Sequence, residues 1–263
     1  MYLGLRQVCI AVRDLEPAIR TLSTLFDVEC CLRDDLHVAR HGLRNAVVPF
    51  GSSFIELIAP AREGTAVGRY LEHAGGDRGY MLILETDDFD GWKDHLAAVD
   101  AVVVRESADG SYHFRQIHPK SVGGVLLSID ADGTPGDGCW LPAGPNWKSC
   151  ARTARVSGIG GVQLQSPAPH RLAVRWGQVL DRAVKKTAEA RSIELSDATD
   201  IAFGPGPSDA GEFMTKVKLR GVNVGACLAA ATTLGLKVTN DSIDALGMRF
   251  DLEARHGRAE NAL

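Results

Sequence analysis

The chain has little of several things. Of its 263 residues only 6% are aromatic, and the formal charge is −4, from 29 Lys and Arg against 33 Asp and Glu. Without a basic excess to follow a phosphate backbone or an anionic lipid surface, neither nucleic acid nor membrane is expected as a partner. No stretch reaches the roughly 18 uninterrupted apolar residues of a membrane span. The opening MYLGLRQVCIAV has no basic region, apolar stretch and cleavage pattern of a signal peptide. A cytoplasmic location is therefore expected. The six cysteines, Cys9, Cys30, Cys31, Cys139, Cys150 and Cys227, lack CxxC spacing, and several lie in apolar runs. Reduced core thiols are expected rather than disulfides or a zinc site. What is present, 45% hydrophobic and 24% charged residues, is enough for one large or two small globular domains and excludes a disordered chain.

Residues 5–12 alternate as a half-buried strand does, with Gln7, Cys9 and Ala11 on one face and Val8, Ile10 and Val12 on the other. Asp14 is placed to cap a helix with Pro17 in its first turn and Leu15, Ile19, Leu22 and Phe26 at helical spacing. Strands are predicted near 36–40, 44–50 and 53–58, separated by His41-Gly42 and Gly51-Ser52, so the unit reads βαβββ. Residues 80–130 repeat it: a strand at 80–86, Asp88 as cap, a helix with Trp92 and Leu96, then strands near 102–107, 111–117 and 123–130. Aligning Asp14 with Asp88 makes Gln7 equivalent to Met81.

Residues 133–150, GTPGDGCWLPAGPNWKSC, break every periodicity and read as a connection, although Trp140 and Trp147 imply that it packs against something. A third unit, with a strand at 159–165, a helix at 170–184 and strands near 191–196 and 199–204, is one strand short. A fourth has strands at 213–219, 236–239 and 246–252 and an alanine-rich helix at 224–234 stopped by Gly235. The expected organisation is residues 1–132 as a first domain, 133–154 as linker, 155–255 as a second, degenerate domain and 256–263 as a frayed tail.

Four such units in two pairs resemble the vicinal oxygen chelate superfamily of glyoxalases, bleomycin-resistance proteins, methylmalonyl-CoA epimerases and extradiol dioxygenases. The carrying segments are VCIAVRDLEPAI, FIELIAP, ETDDFDGW and HPKSVGGVLLSID. The resemblance implies an α+β fold of four βαβββ-type modules, pairing into two curled mixed-sheet half-barrels with helices outside. It also implies a cleft with four ligand positions, which here become Gln7, Glu56, Met81 and Ser128. Gln7 and Glu56 fit the family's pattern, whereas the soft thioether of Met81, the neutral hydroxyl of Ser128, and Tyr80 one register away do not suit its hard metals. No cofactor is expected; a divalent metal, if bound, would use Gln7 and Glu56. The second pair offers Gly161 and Met214 at first-strand ligand positions, which argues against an extradiol dioxygenase.

Glu56 stands in a strand apolar on both faces, where a carboxylate must be paired, hydrogen-bonded or protonated. It reads equally as a structural glutamate bonded to Gln7 or an arginine, and as a general base. Gln7 and His118 complete the expected catalytic set. Tyr80, Met81, Ser128, His113, Lys120 and Ser121 form the expected substrate-binding set, with Lys120 and Ser121 suited to a carboxylate or phosphate. For His113 and His118 a surface or structural bond competes with these roles, and His37 and His41 receive none. Two functions follow: an isomerase, epimerase or lyase abstracting a proton from a small oxygenated acid or acyl-CoA thioester, or a metal-free binding protein of bleomycin-resistance type. Either takes a small-molecule ligand, and a homodimer stays open.

Overall fold

The computed structural model describes residues 1–108, 110–135, 138–186, 190–208 and 211–254. The expected tail, 256–263, lies outside them. In chain order the first half contains β1 (Leu3–Ala11), α1 (Leu15–Phe26), β2 (Leu32–Arg33), α2 (Leu36–Ala39), β3 (Leu43–Phe50), β4 (Ser53–Pro60), α3 (Ala66–Ala74), β5 (Arg78–Thr86), α4 (Gly91–Ala98), β6 (Val103–Ser107), β7 (Tyr112–Ile117), α5 (Pro119–Val122) and β8 (Leu126–Asp132). A 3-10 turn at Leu141–Ala143 and α6 (Trp147–Cys150) follow in the connection. The second half contains β9 (Val156–Ser166), α7 (Pro169–Leu180), β10 (Val184–Lys186), β11 (Arg191–Glu194), β12 (Asp200–Pro205), β13 (Phe213–Gly221), α8 (Val224–Thr233), β14 (Lys237–Thr239), β15 (Ser242–Ala245) and β16 (Met248–Ala254).

The strands form two eight-stranded mixed sheets of matching order, β2-β3-β4-β1-β5-β8-β7-β6 and β10-β11-β12-β9-β13-β16-β15-β14. This is the α+β architecture of curled, unclosed sheets that the pattern implies. Three local expectations are corrected. Residues 36–39 form a helix rather than a strand, because the Asp35 side chain accepts from the backbone N–H of His37 and caps a turn there. The third unit is not a strand short: Val184–Lys186 pairs with β11, a strand too brief to show alternation. Helix α3, between β4 and β5, was not foreseen; Thr65 caps it and it buries Val67 and Leu71.

Each sheet has a helix-covered face and an opposite face. On the helix-covered side, Leu5, Val8, Ile10, Ile55, Leu57, Leu82, Leu84, Leu127 and Ile129 of the first sheet join Val162, Leu164, Ile201, Val217, Leu219 and Phe250 of the second in one continuous buried core. Phe26 of α1 meets Phe50 at 5.7 Å and Phe250 at 5.4 Å between ring centroids, so aromatic contacts bridge the halves. The opposite face of the first sheet has its own buried cluster of Cys9, Ala11, Val47, Phe54, Ile58, Met81 and Ile83. It is closed by Trp140, Ala143 and Trp147 from the connection. Among the described residues no helix is long and apolar enough to cross a membrane.

Candidate active cleft

Strand register decides which side chains share the cleft. β1 runs parallel to β4 with Cys9 beside Glu56, and β5 runs parallel to β8 with Ile83 beside Ser128. Gln7 and Met81 each precede these pairs by two residues, on the same strand face. The four positions Gln7, Glu56, Met81 and Ser128 therefore occupy corresponding places about the central β1–β5 pair, and all four are buried.

Glu56 is held on both oxygens. Gln7 Nε2 donates to Oε2 at 2.8 Å and Asn45 Nδ2 donates to Oε1 at 2.8 Å. Burial pushes its pKa above the usual carboxylate range, against the lowering effect of donors from Asn45, Gln7 and Cys9. The Cys9 thiol is itself raised well above its ordinary value, first by burial and then by the Glu56 charge. Gln7 uses its other end as well, since its Oε1 accepts from Trp140 Nε1 at 2.8 Å.

Across the cleft, β8 supplies a second buried carboxyl that sequence reasoning missed. Asp130 accepts from Ser128 Oγ and from the Tyr112 hydroxyl. Burial outweighs these two donors and raises its pKa to about 7. Tyr112 is pushed well above the ordinary phenol value by burial and then by Asp130, and it also feels the charge of Glu56. Its ring meets Trp140 edge-on at 5.7 Å, so an unbroken chain of contacts leads from Asp130 through Tyr112, Trp140 and Gln7 to Glu56 and Asn45. Arg6 closes one side: its guanidinium lies 5.2 Å from the Trp140 ring and 5.4 Å from the Phe54 ring, and donates to the Cys139 carbonyl at 2.9 Å.

The other expected residues are placed differently. Tyr80 packs edge-on to Tyr70 at 5.2 Å at the margin of the cleft cluster, its hydroxyl pushed up to about 12 by burial. His113 does not join the cleft: in a strand where Tyr112 faces Asp130, its neighbour turns to the other side, against Phe89. His118 caps α5 by accepting from the Lys120 backbone N–H, a structural role. Lys120 and Ser121 line a separate groove of about 460 Å³ with Arg171, Arg175 and Glu212, where the Ser121 carbonyl accepts from Arg175 Nε and its hydroxyl from Val102 N–H. The missed residues are Asn45, Asp130, Tyr112, Trp140 and Arg6. For Asp130 a signal existed, because it follows Ser128 by two residues and must share its face.

A family model described as the glyoxalase/bleomycin resistance protein/dioxygenase superfamily matches residues 6–114. Residues 6–114 are similar to a domain of that superfamily. Among solved structures, the chain is similar to a substituted 4-hydroxymandelate synthase from Streptomyces coelicolor, with 15% identity, TM-score 0.67 and coverage of 89% of this chain and 75% of that one. It is similar to a hypothetical protein from Staphylococcus aureus at 11% identity and TM-score 0.66, over 97% of this chain and 100% of that one. These likenesses concern the fold. A substituted methylmalonyl-CoA epimerase from Streptomyces coelicolor, in complex with 2-nitronate-propionyl-CoA, matches at 22% identity and TM-score 0.45, over 51% of this chain and 100% of that one. No curated protein matches.

The superfamily's metals invite a test of the donor set, and the donors do not suit a divalent ion. Gln7 turns its N–H to Glu56 and its oxygen to Trp140, both Glu56 oxygens accept from amides, Met81 offers only a thioether, and the Ser128 hydroxyl is engaged with Asp130. Among the described residues no group of three or more His, Cys, Asp or Glu side chains could hold a metal.

Proposed function

We propose that this chain is a cytoplasmic proton-transfer enzyme, an isomerase, epimerase or lyase acting on a small oxygenated acid or an acyl-CoA thioester, with its site in the glyoxalase-like unit of residues 1–132. The observation that carries the reading is the pair of buried carboxyls, Glu56 on β4 and Asp130 on β8, presented to one cleft from corresponding strands and both raised in pKa. A carboxyl raised above its ordinary pKa can take a proton from the carbon beside a carbonyl and return it, and a pair of carboxyls allows removal on one side and delivery on the other. The Gln7 and Asn45 amides, each with a second N–H beyond the one given to Glu56, are the donors for the enolate oxygen that forms. Substrate entry requires the Trp140–Trp147 segment to withdraw from the cleft.

A second reading, a metal-free binding protein, is favoured by one observation. Phe54, Trp140 and Trp147 make the cleft an aromatic enclosure suited to an amphipathic ligand. Deuterium exchange from solvent into acyl-CoA thioesters and 2-oxo or 2-hydroxy acids separates the two. Wild type is expected to exchange, and Glu56→Gln to fall by about 10² to 10⁴ while still binding. Undiminished exchange in the variant removes Glu56 from the mechanism; binding without exchange for every candidate selects the second reading.

A further inference from the structure

The segment that fills the cleft is anchored beside three thiols. Its upstream end is tied by the Leu141 N–H to Asp132 at 2.5 Å and by the Cys139 carbonyl to Arg6. Trp147 packs edge-on against Phe54 at 5.0 Å and donates through Nε1 to the Gly138 carbonyl at 3.0 Å. The downstream end is joined to the α1–β2 loop by an ion pair of Arg152 with Glu29 at 2.7 Å, both side chains about half exposed. Just inside that pair, Cys30 and Cys31 continue the loop from Glu29, and Cys150 and Ala151 lead back from Arg152 into α6. Cys31, Leu32 and Ala151 pack against the same cluster. The chain neighbours of Cys150 and of Cys30–Cys31 thus meet twice, at the Arg152–Glu29 pair and in that cluster. All three are free and partly exposed.

We propose that Cys150 forms a reversible disulfide with one of the vicinal pair Cys30–Cys31, fixing residues 138–151 in the cleft, so that opening of the site depends on thiol redox state. The inference rests on the proposed function only in taking the cleft as the site. Reduced, the downstream anchor is an exposed ion pair, which holds a segment weakly. Oxidised, it is a covalent link to the loop that enters the first sheet. A peroxide supplies the chemistry. The Cys150 thiolate attacks the O–O bond, giving a sulfenic acid and one water, and the loop thiol then displaces the sulfenic oxygen as a second water while the S–S bond forms. Two electrons pass from the two sulfurs to the peroxide, and a small dithiol reverses the step by exchange. Burial pushes the Cys31 thiol up to about 12 and raises Cys30, so neither loop cysteine is the first nucleophile and each serves as the resolving thiol.

The test uses full-length protein treated with hydrogen peroxide or with dithiothreitol, followed by peptide mapping and by amide hydrogen exchange of residues 138–151. A peptide linking Cys150 to Cys30 or Cys31 is expected only after peroxide, absent in Cys150→Ser and in the double variant Cys30→Ser, Cys31→Ser. Exchange across 138–151 should slow at least tenfold in the oxidised wild type, return with dithiothreitol, and not respond to peroxide in Cys150→Ala. No such link, a link from Cys150 to Cys139 instead, or a link that leaves segment exchange unchanged would each overturn the proposal. Because exchange is read without turnover, this result stands or falls independently of the proton-transfer reading.

Discussion

Asp130 carries its proton at a pH where an ordinary aspartic acid has lost it, since burial raises its pKa to about 7, against an ordinary value of 3.8. Between those two values the folded chain binds one proton that the unfolded chain has released, so stability falls as pH rises from about 4 to 7 and that contribution is absent above. At about 1.4 kcal/mol per pK unit the group accounts for at most about 4 kcal/mol over that span. Urea midpoints at pH 5, 6, 7 and 8 are expected to drop for wild type and to run flatter for Asp130→Asn, which keeps acceptor and size but cannot ionise. Parallel curves would mean that Asp130 titrates normally. Glu56 was legible in the sequence because a carboxylate between Ile55 and Leu57 in an apolar strand demands partners, and Gln7 because a polar side chain shares a face with Cys9 and Ala11. Asp130 was legible only through its spacing, two residues after Ser128 on the same strand face; by itself an aspartate near a strand's end in LLSIDAD reads as the onset of a turn. Trp140 sits where no periodicity exists, and only the folded connection brings its N–H to Gln7.

At the scale of elements, the periodic α1 and short strands such as β6, β7 and β14 were read correctly, whereas β2, β10 and β15 were not, and the helix expected over 170–184 ends at Leu180. The twelve residues of α1 carry a buried stripe of Leu15, Ala18, Leu22, Leu25 and Phe26, with Asp14 accepting from the Glu16 N–H, and such a pattern has one solution. Four residues such as LHVA fit a strand and a single helical turn equally well, and a neighbouring side-chain acceptor decides between them. Turns between strands also set how the sheets meet. Gly51, in the β3–β4 turn at φ +64°, lies where an added Cβ would stand 2.3 Å from the Ser157 carbonyl oxygen of β9. Gly51→Ala combines left-handed strain with a collision against backbone and is expected to destabilise by about 2–4 kcal/mol in equilibrium unfolding. A loss below about 0.5 kcal/mol would show that the turn can retreat from β9.

For the whole molecule, the repeat in the sequence revealed the units but not how the halves join. Their union depends on contacts between distant polar groups that carry no pattern. Arg175 of α7 donates to the carbonyls of Ser121, Val99 and Asp100, Arg155 to those of Thr24 and Leu25, and the His95 ring meets the Gln178 and Val179 carbonyls. With one buried core running through both sheets, the halves should unfold together. Thermal melts followed by far-ultraviolet circular dichroism and by tryptophan fluorescence are expected to coincide, although three of the four tryptophans lie before residue 150. Two separated transitions would show that each half is stable alone.

The strand order has a further consequence for how copies of this chain meet. A sheet's outermost strand exposes unpaired N–H and C=O groups that can recruit another strand. Among the described residues three of the four borders are short: β2 has two residues, β10 three and β14 three. Of these borders β6, with five, offers the longest open ladder among the described residues, and Val102 and Val104 beside and within it are 58% and 49% exposed. If crowding drives these molecules to add strand to strand, growth will begin at that border, and the exposed Arg105 and Glu106 are the charges standing against it.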